Sequence, residues 1–244
     1  LLAIPLFVFM AMILERTGVA NALYRMMHVW CGGLRGGLAI GTVVICTIFA
    51  AMVGISGAAV VTMGTIALPA MLERGYDKKM AIGCISAGGG LGILIPPSVL
   101  MVLYSLITGV SVGKLFAAGV IPGIVLAVMI AAYVAIRCWL QPEMGPALPK
   151  EERGTWRDKL LALRAVLLPL VIVTMVLGSI MIGIATPTEA AAVGVLGALI
   201  SAAVHRTLTW ALVRESLLST MKLTGMIVWI LFAAHAFSSA YQGM

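Results

Sequence analysis

Charge is what this sequence lacks. Asp, Glu, Lys and Arg make up 10% of its 244 residues, against about a quarter in an ordinary soluble domain. With 62% hydrophobic residues and a mean hydropathy of +1.13, a soluble fold of this size would leave large apolar areas in water. A soluble enzyme or binding domain is therefore excluded. Cysteine is scarce too: Cys31, Cys46, Cys84 and Cys138 are scattered and form no CxxC pair or Cys/His ligand cluster. That argues against a disulfide framework or metal centre and for small core residues. The alternation that a closed β-barrel requires is also missing, which leaves helices as the element that satisfies its own backbone in lipid.

What is present is a series of apolar runs, several near the ~20 residues that cross a bilayer. They fall at 1–14, 38–53, 56–72, 80–108, 116–140, 164–185, 187–204 and 224–240. The expected fold class is an all-α polytopic membrane protein, with the lipid bilayer as its solvent. The 16 Lys and Arg against 9 Asp and Glu read as loop placement rather than nucleic-acid affinity, so no nucleic-acid partner is expected. Leu1 and the apolar run at Met244 read as cut ends, which leaves a signal peptide unjudged.

The one long polar connection, 141–163, carries Pro142, Pro146, Pro149, Lys150, Glu151, Glu152, Arg153, Arg157, Asp158 and Lys159, with Arg137 and Arg164 at its flanks. It reads as a cytoplasmic linker between a first half, 1–140, and a second, 164–244. Residues 205–222 pattern as an amphipathic interfacial helix, with Leu208, Leu212, Leu217 and Leu218 against Arg206, Arg214 and Glu215. A faint echo links residues 1–19 to 226–244, each an apolar stretch with Phe9 or Phe237 that closes on Gly18 or Gly243. If the echo is a repeat, the binding site belongs between the repeats. Sidedness is in tension: positive charge places both 141–163 and 205–222 in the cytoplasm, whereas inverted repeats bring the second half in from the other side, and the longer loop carries more weight.

Three interruptions at membrane depth carry the functional signal. In GISGAA at 54–59, Gly54 and Gly57 bracket Ser56. The freed carbonyls and the Ser56 hydroxyl suit a hard monovalent cation, while close helix packing through small residues explains the same string. In AGGGLGILIPPSVLMVLY at 87–104, Gly88, Gly89, Gly90 and Gly92 precede Pro96, Pro97 and Ser98. That density goes beyond packing and predicts an unwound crossing. In GIATPTEAAAVG at 183–194, Thr186, Pro187, Thr188 and Glu189 interrupt an apolar run. Thr186 and Glu189 fit a helix cap, and the same helix N-terminus suits a substrate carboxylate; both readings stay open.

The strings LLAIPLFVFMAMILERTGVA, GILIPPSVLMVLYSLITGVSVGKLFAAGVIPG and GIATPTEAAAVG resemble the large M (DctM-type) subunit of the tripartite ATP-independent periplasmic (TRAP) transporters. The match runs over essentially the whole chain. The resemblance implies an elevator-type carrier of the ion-transporter superfamily, built from broken helices and re-entrant hairpins in inverted repeats, in the bacterial inner membrane. It further implies sodium as coupling ion with no other cofactor, a small membrane subunit (Q, DctQ-type), and a periplasmic substrate-binding protein (P, DctP-type) that delivers a small organic acid such as a C4-dicarboxylate. Carried over by position, Ser56 and Gly57 with Gly88 and Gly92 form a sodium site. Pro96, Pro97, Ser98, Thr186, Thr188 and Glu189 serve substrate and transport. The chain departs from the family pattern at Ala58, where a second Ser is common, and at Val60, Val61 and Thr62, where an acid is common. The family's second cation site is not completed by this chain.

Two rivals remain at this level. Gly54-Ile55-Ser56-Gly57 satisfies the GxSG pattern of rhomboid-like intramembrane serine proteases, but such chemistry needs a His within reach of the Ser. Of His28, His205 and His235, only His235 lies in an apolar run. A passive channel also uses broken helices, although filters usually arise from symmetric oligomers and the breaks here differ between the halves. No enzyme activity is expected.

Overall fold

The computed structural model describes residues 2–147 and 156–242. Ten α-helices follow one another: α1 (Ala3–Arg16), α2 (Val19–Cys31), α3 (Gly37–Val53), α4 (Ser56–Glu73), α5 (Lys78–Gly90), α6 (Val99–Thr108), α7 (Val112–Leu140), α8 (Trp156–Ile182), α9 (Pro187–Val204) and α10 (Trp210–Gln242). Short 3-10 turns lie at Leu91–Ile93 and Pro142–Met144, and there is no strand among the described residues. Four helical stretches, in α4, α7, α9 and α10, are long and apolar enough to cross a membrane. α1 and α2, bent by 57° at Thr17–Gly18, make a fifth span if taken together. The chain is an all-α, multi-pass membrane protein.

α1 is enclosed by the bundle. Most of its side chains are buried, with Val8, Ala11, Ile13 and Leu14 fully enclosed, and it packs on α9, α10 and α3. A helix apolar on all sides is stable only where protein or lipid surrounds it. At the α1–α2 bend, buried Thr17 donates its hydroxyl to the Leu14 carbonyl at 2.7 Å. That bond answers a carbonyl the bend would otherwise leave unpaired in an apolar setting.

The two ends of the bundle differ. At one end the α2–α3 turn, the α4–α5 turn and the start of the 141–163 connection are tied together: Gly36 N–H donates to Gly145 O at 2.8 Å, and Asp77 N–H donates to Met144 O at 3.1 Å. Leu38 N–H, at the start of α3, donates to the Tyr76 phenol at 3.2 Å. Trp30 donates its indole N–H to the Lys159 carbonyl at 3.3 Å, and the Lys159 ammonium stands 5.9 Å from the Trp30 ring. α9 runs antiparallel to α8, with Gly194 against Val176 and Gly197 against Ile172, so the turn at 205–209 returns to this end. Arg35, Arg74, Lys78, Lys79, Arg137 and Arg206 therefore gather here. The opposite end, where Gly113 meets the Ile180 carbonyl, carries Lys114 and Glu189 in its first helical turns.

Three expectations change on contact with the structure. α2 was not among the expected segments; Asn21, Arg25 and His28 interrupt its apolar pattern. The connection 141–163 is not all loop, because α8 begins at Trp156; residues 148–155 lie outside the described residues. Of the interfacial helix expected at 205–222, residues 205–209 form a turn and 210–222 are the first part of one continuous helix, α10, since nothing from Ser219 to Met226 breaks it apart from a tolerated Gly225. Its Leu212, Ser216 and Thr220 are buried, and α10 packs on α1. The echo between the two chain ends does not extend to their surroundings: α1 is enclosed, whereas Trp229, Phe232 and Phe237 are exposed.

Candidate functional site

Two helix breaks cross in the middle of the bundle. The first lies between α3 and α4: Gly54 adopts φ 65° and Ile55 is extended, with φ −131° and ψ 110°. A non-glycine residue in that left-handed conformation is strained, and a side chain on Gly54 would also run into the Pro97 carbonyl oxygen. The second break lies between α5 and α6, as the glycine and proline density predicted. Its position is shifted, however: Gly88, Gly89 and Gly90 remain helical, and the chain unwinds from Leu91 to Ser98. The Pro96–Pro97 peptide bond is cis.

The glycines of this segment bring backbones together. A methyl group on Gly88 would stand 2.8 Å from Cys46 Cβ on α3, and one on Gly92 would stand 3.2 Å from Ser56 N. Gly89 abuts Val60 of α4. Gly57 differs, since a side chain there meets open space; packing does not account for it. On the far side, Gly119 of α7 leaves room for the Leu94 carbonyl, 2.6 Å from where a Cβ would sit. One hydrogen bond joins the breaks directly, Val99 N–H to Gly54 O at 3.4 Å.

This geometry points backbone of both polarities at one place. The last carbonyls of α3 and the first amides of α4 and α6 have no partner within their own helices. The carbonyl end of a helix carries partial negative charge and its amide end partial positive charge. Ser98 sits among them, 1% exposed, and its hydroxyl makes no hydrogen bond among the described residues. A buried unpaired hydroxyl costs about 1–3 kcal/mol, so it marks a place where a polar atom belongs. Ser56, half-buried, faces a cleft of about 450 Å³ between the crossing and α10, walled by Val99, Tyr104, Met226 and Ile230.

Ser56, Gly92, Pro97 and Ser98 are thus brought together, with Gly88 one turn before Gly92, in the last turn of α5 and against α3. Thr186, Thr188 and Glu189 are not: α9 packs on α1 and α8 rather than on α4 or α6. Thr186 and Glu189 form a complete capping box. Thr186 N–H and hydroxyl donate to Glu189 Oε2 at 2.8 and 2.7 Å, and Glu189 N–H donates back to the Thr186 hydroxyl oxygen at 3.4 Å. Thr186 and Glu189 are exposed, so the cap is what the geometry displays.

A second polar cluster escaped the sequence reading because its members come from three helices. Glu15 of α1, half-buried, accepts the Thr62 hydroxyl of α4 at 2.6 Å. The neighbouring Arg16 donates to the Glu215 carboxylate and to the Ser219 hydroxyl, the latter at 3.0 Å. The carboxylate beside Thr62 therefore comes from α1 and not from α4.

Residues 1–243 match the family described as Tripartite ATP-independent periplasmic transporter, DctM component. The chain belongs to this family. It is similar to the C4-dicarboxylate TRAP transporter large permease protein DctM of Vibrio cholerae, with 44% identity over 195 residues, 79% of this chain and 42% of that protein. It is 35% identical to the ectoine TRAP transporter large permease protein TeaC of Halomonas elongata, over 99% of this chain and 55% of that protein. It is 31% identical to the isethionate TRAP transporter permease protein DctMQ of Oleidesulfovibrio alaskensis, over 98% of this chain and 37% of that protein. The chain spans about half the length of the curated relatives it matches. These relatives are named as permeases and not as enzymes, and the protease reading of GxSG has no support; the chain is a multi-pass protein of the inner membrane.

Proposed function

We propose that this chain forms the transport core of a secondary carrier that imports a small organic acid with sodium co-transport. It receives the acid from a periplasmic substrate-binding protein and works beside a small membrane subunit. The observation that carries the reading is the buried, unpartnered Ser98 hydroxyl at the crossing of two broken helices. A hard monovalent cation gives up its hydration shell only where several oxygens converge. The α3 carbonyl end and Ser98 supply oxygens of the right kind, with Gly88 and Gly92 allowing the approach and Ser56 and Gly57 opening α4 beside them.

The relatives' names include a C4-dicarboxylate, ectoine and isethionate. These solutes share a carboxylate or sulfonate group. The amide ends of α4 and α6 face the cleft that such an anion would enter, and helix N-termini favour negative charge. Thr186, Thr188 and Glu189 take part, on this reading, as the mouth of the second half. The halves 1–140 and 164–244 act as two repeats that move in elevator fashion around the site. The basic end, with Arg35, Arg74, Lys78, Lys79, Arg137 and Arg206, faces the cytoplasm under the positive-inside rule. Both basic stretches noted in the sequence then obey that rule together.

The test is uptake by proteoliposomes holding the complete permease and its small subunit, with the binding protein outside. Uptake is expected to require both the binding protein and an inward sodium gradient. Equal flux without either would identify a passive pore and overturn the proposal.

A further inference from the structure

A groove of about 560 Å³ opens between α5 and α7 at the basic end of the bundle. Gly83 and Ala87 of α5 and Leu126 and Met129 of α7 make its walls apolar, while Lys79 and Arg137 stand at its mouth. We propose that this groove is a binding site for an anionic phospholipid, with an acyl chain along the apolar walls and the phosphate against Lys79 and Arg137.

Length supports this occupant. From Lys79 to Ala87, and from Leu126 to Arg137, the helices rise roughly 12–16 Å at ~1.5 Å per residue. That is about half of the ~30 Å hydrocarbon core, the depth of one leaflet. Aromatic residues mark the same level as an interface: Tyr133, which lines the groove, is 60% exposed and Trp139, two residues past Arg137, is 73% exposed, and such rings gather at the headgroup boundary.

Charge supports it as well. Arg137 Nε is buried and makes no hydrogen bond among the described residues, and a guanidinium presents a planar fork that matches phosphate. Lys79 is exposed and forms no ion pair among the described residues. The one acid at the mouth, Asp77, is engaged elsewhere, its carboxylate accepting Met80 N–H at 2.9 Å as the cap of α5. Basic pockets between membrane helices on the cytoplasmic side suit anionic headgroups. Inorganic phosphate alone would leave the apolar walls unexplained. The proposal rests on the membrane placement of the chain and not on its transport cycle, so loss of one does not imply loss of the other.

The complete permease in phosphatidylethanolamine nanodiscs, doped with a photoactivatable phosphatidylglycerol or phosphatidylcholine analogue, provides the test. Each basic residue near anionic lipid strengthens binding about fivefold, so K79Q/R137Q is expected to lose roughly twenty-five-fold in phosphatidylglycerol affinity, whereas Arg137→Lys keeps most of it. Labelling is expected on α5 and α7 residues of the groove and to favour phosphatidylglycerol over phosphatidylcholine. Gly83→Leu, which adds a side chain where a Cβ meets open space, is expected to block labelling with both charges intact, a result independent of whether K79Q/R137Q folds. Equal labelling by the two lipids would overturn the proposal. So would a wild-type groove that neither lipid labels because another protein segment covers it, or labelling that Gly83→Leu leaves unchanged.

Discussion

Gly92 and Ser56 face each other across the crossing of two broken helices, so closely that a methyl group on Gly92 would stand 3.2 Å from Ser56 N and 3.3 Å from Ser56 Cα. Neither neighbour is the free end of a flexible side chain. Gly92→Val is therefore expected to force the breaks apart, with a cost of about 1–3 kcal/mol typical of overpacking and a lowered melting temperature of the purified protein. Gly54→Ala is expected to do more harm, because it adds left-handed strain to a collision with the Pro97 carbonyl. Melting temperatures equal to wild type for both variants would mean that the breaks do not cross as described.

The capping box at α9 yields a prediction that separates two roles of one residue. Gln serves at the third helical position of such a box nearly as well as Glu, so Glu189→Gln is expected to keep the helix start and the thermal stability. Thr186→Ala removes the cap itself and is expected to cost about 1 kcal/mol. If uptake nonetheless falls in Glu189→Gln, its charge serves transport. Unchanged uptake would restrict Glu189 to the cap that its hydrogen bonds display.

Tyr76, in the α4–α5 turn, is 4% exposed. Burial raises its pKa from 10.0 to about 12, with the Leu38 N–H bond opposing. The folded state thus holds the neutral phenol more firmly than the unfolded chain does. The stability this contributes is complete below pH 10 and is lost as pH rises from 10 towards 12. Tyr76→Phe is expected to shallow the loss of melting temperature over that window while lowering stability below it, since Leu38 N–H loses its acceptor. Parallel pH profiles for variant and wild type would contradict the assignment.

The sequence announced the second break through the density of Gly88–Gly90, Gly92, Pro96 and Pro97, which exceeds what helix packing needs, and suggested the first through Gly54 and Gly57. It did not show that Gly54 meets Pro97 or Gly92 meets Ser56, since the pairing depends on how α3 to α6 pack. The shift of the unwound stretch to Leu91–Ser98 has the same origin: Gly88 and Gly89 hold helical form against α3 and α4. α2 was overlooked because Arg25 and His28 hide its apolar stripe. The face of α10 around Leu212 reads alike whether protein or the membrane interface covers it, so only packing on α1 told the two apart. Glu15 and Thr62 belong to different helices, and no local pattern joins them.

Ser98→Ala tests the central claim most directly, because the Ser98 hydroxyl has no hydrogen-bond partner among the described residues and its removal sacrifices no hydrogen bond to them. Sodium-dependent uptake should be measured in proteoliposomes with the complete transporter, together with the melting temperature. The account predicts a melting temperature equal to or above that of wild type, since a buried unpaired hydroxyl is removed, and a rise of about tenfold or more in the sodium concentration for half-maximal uptake, as expected when a cation loses one oxygen ligand worth ~1.4 kcal/mol. An unaltered sodium dependence in a fully inserted, at least equally stable protein would contradict it.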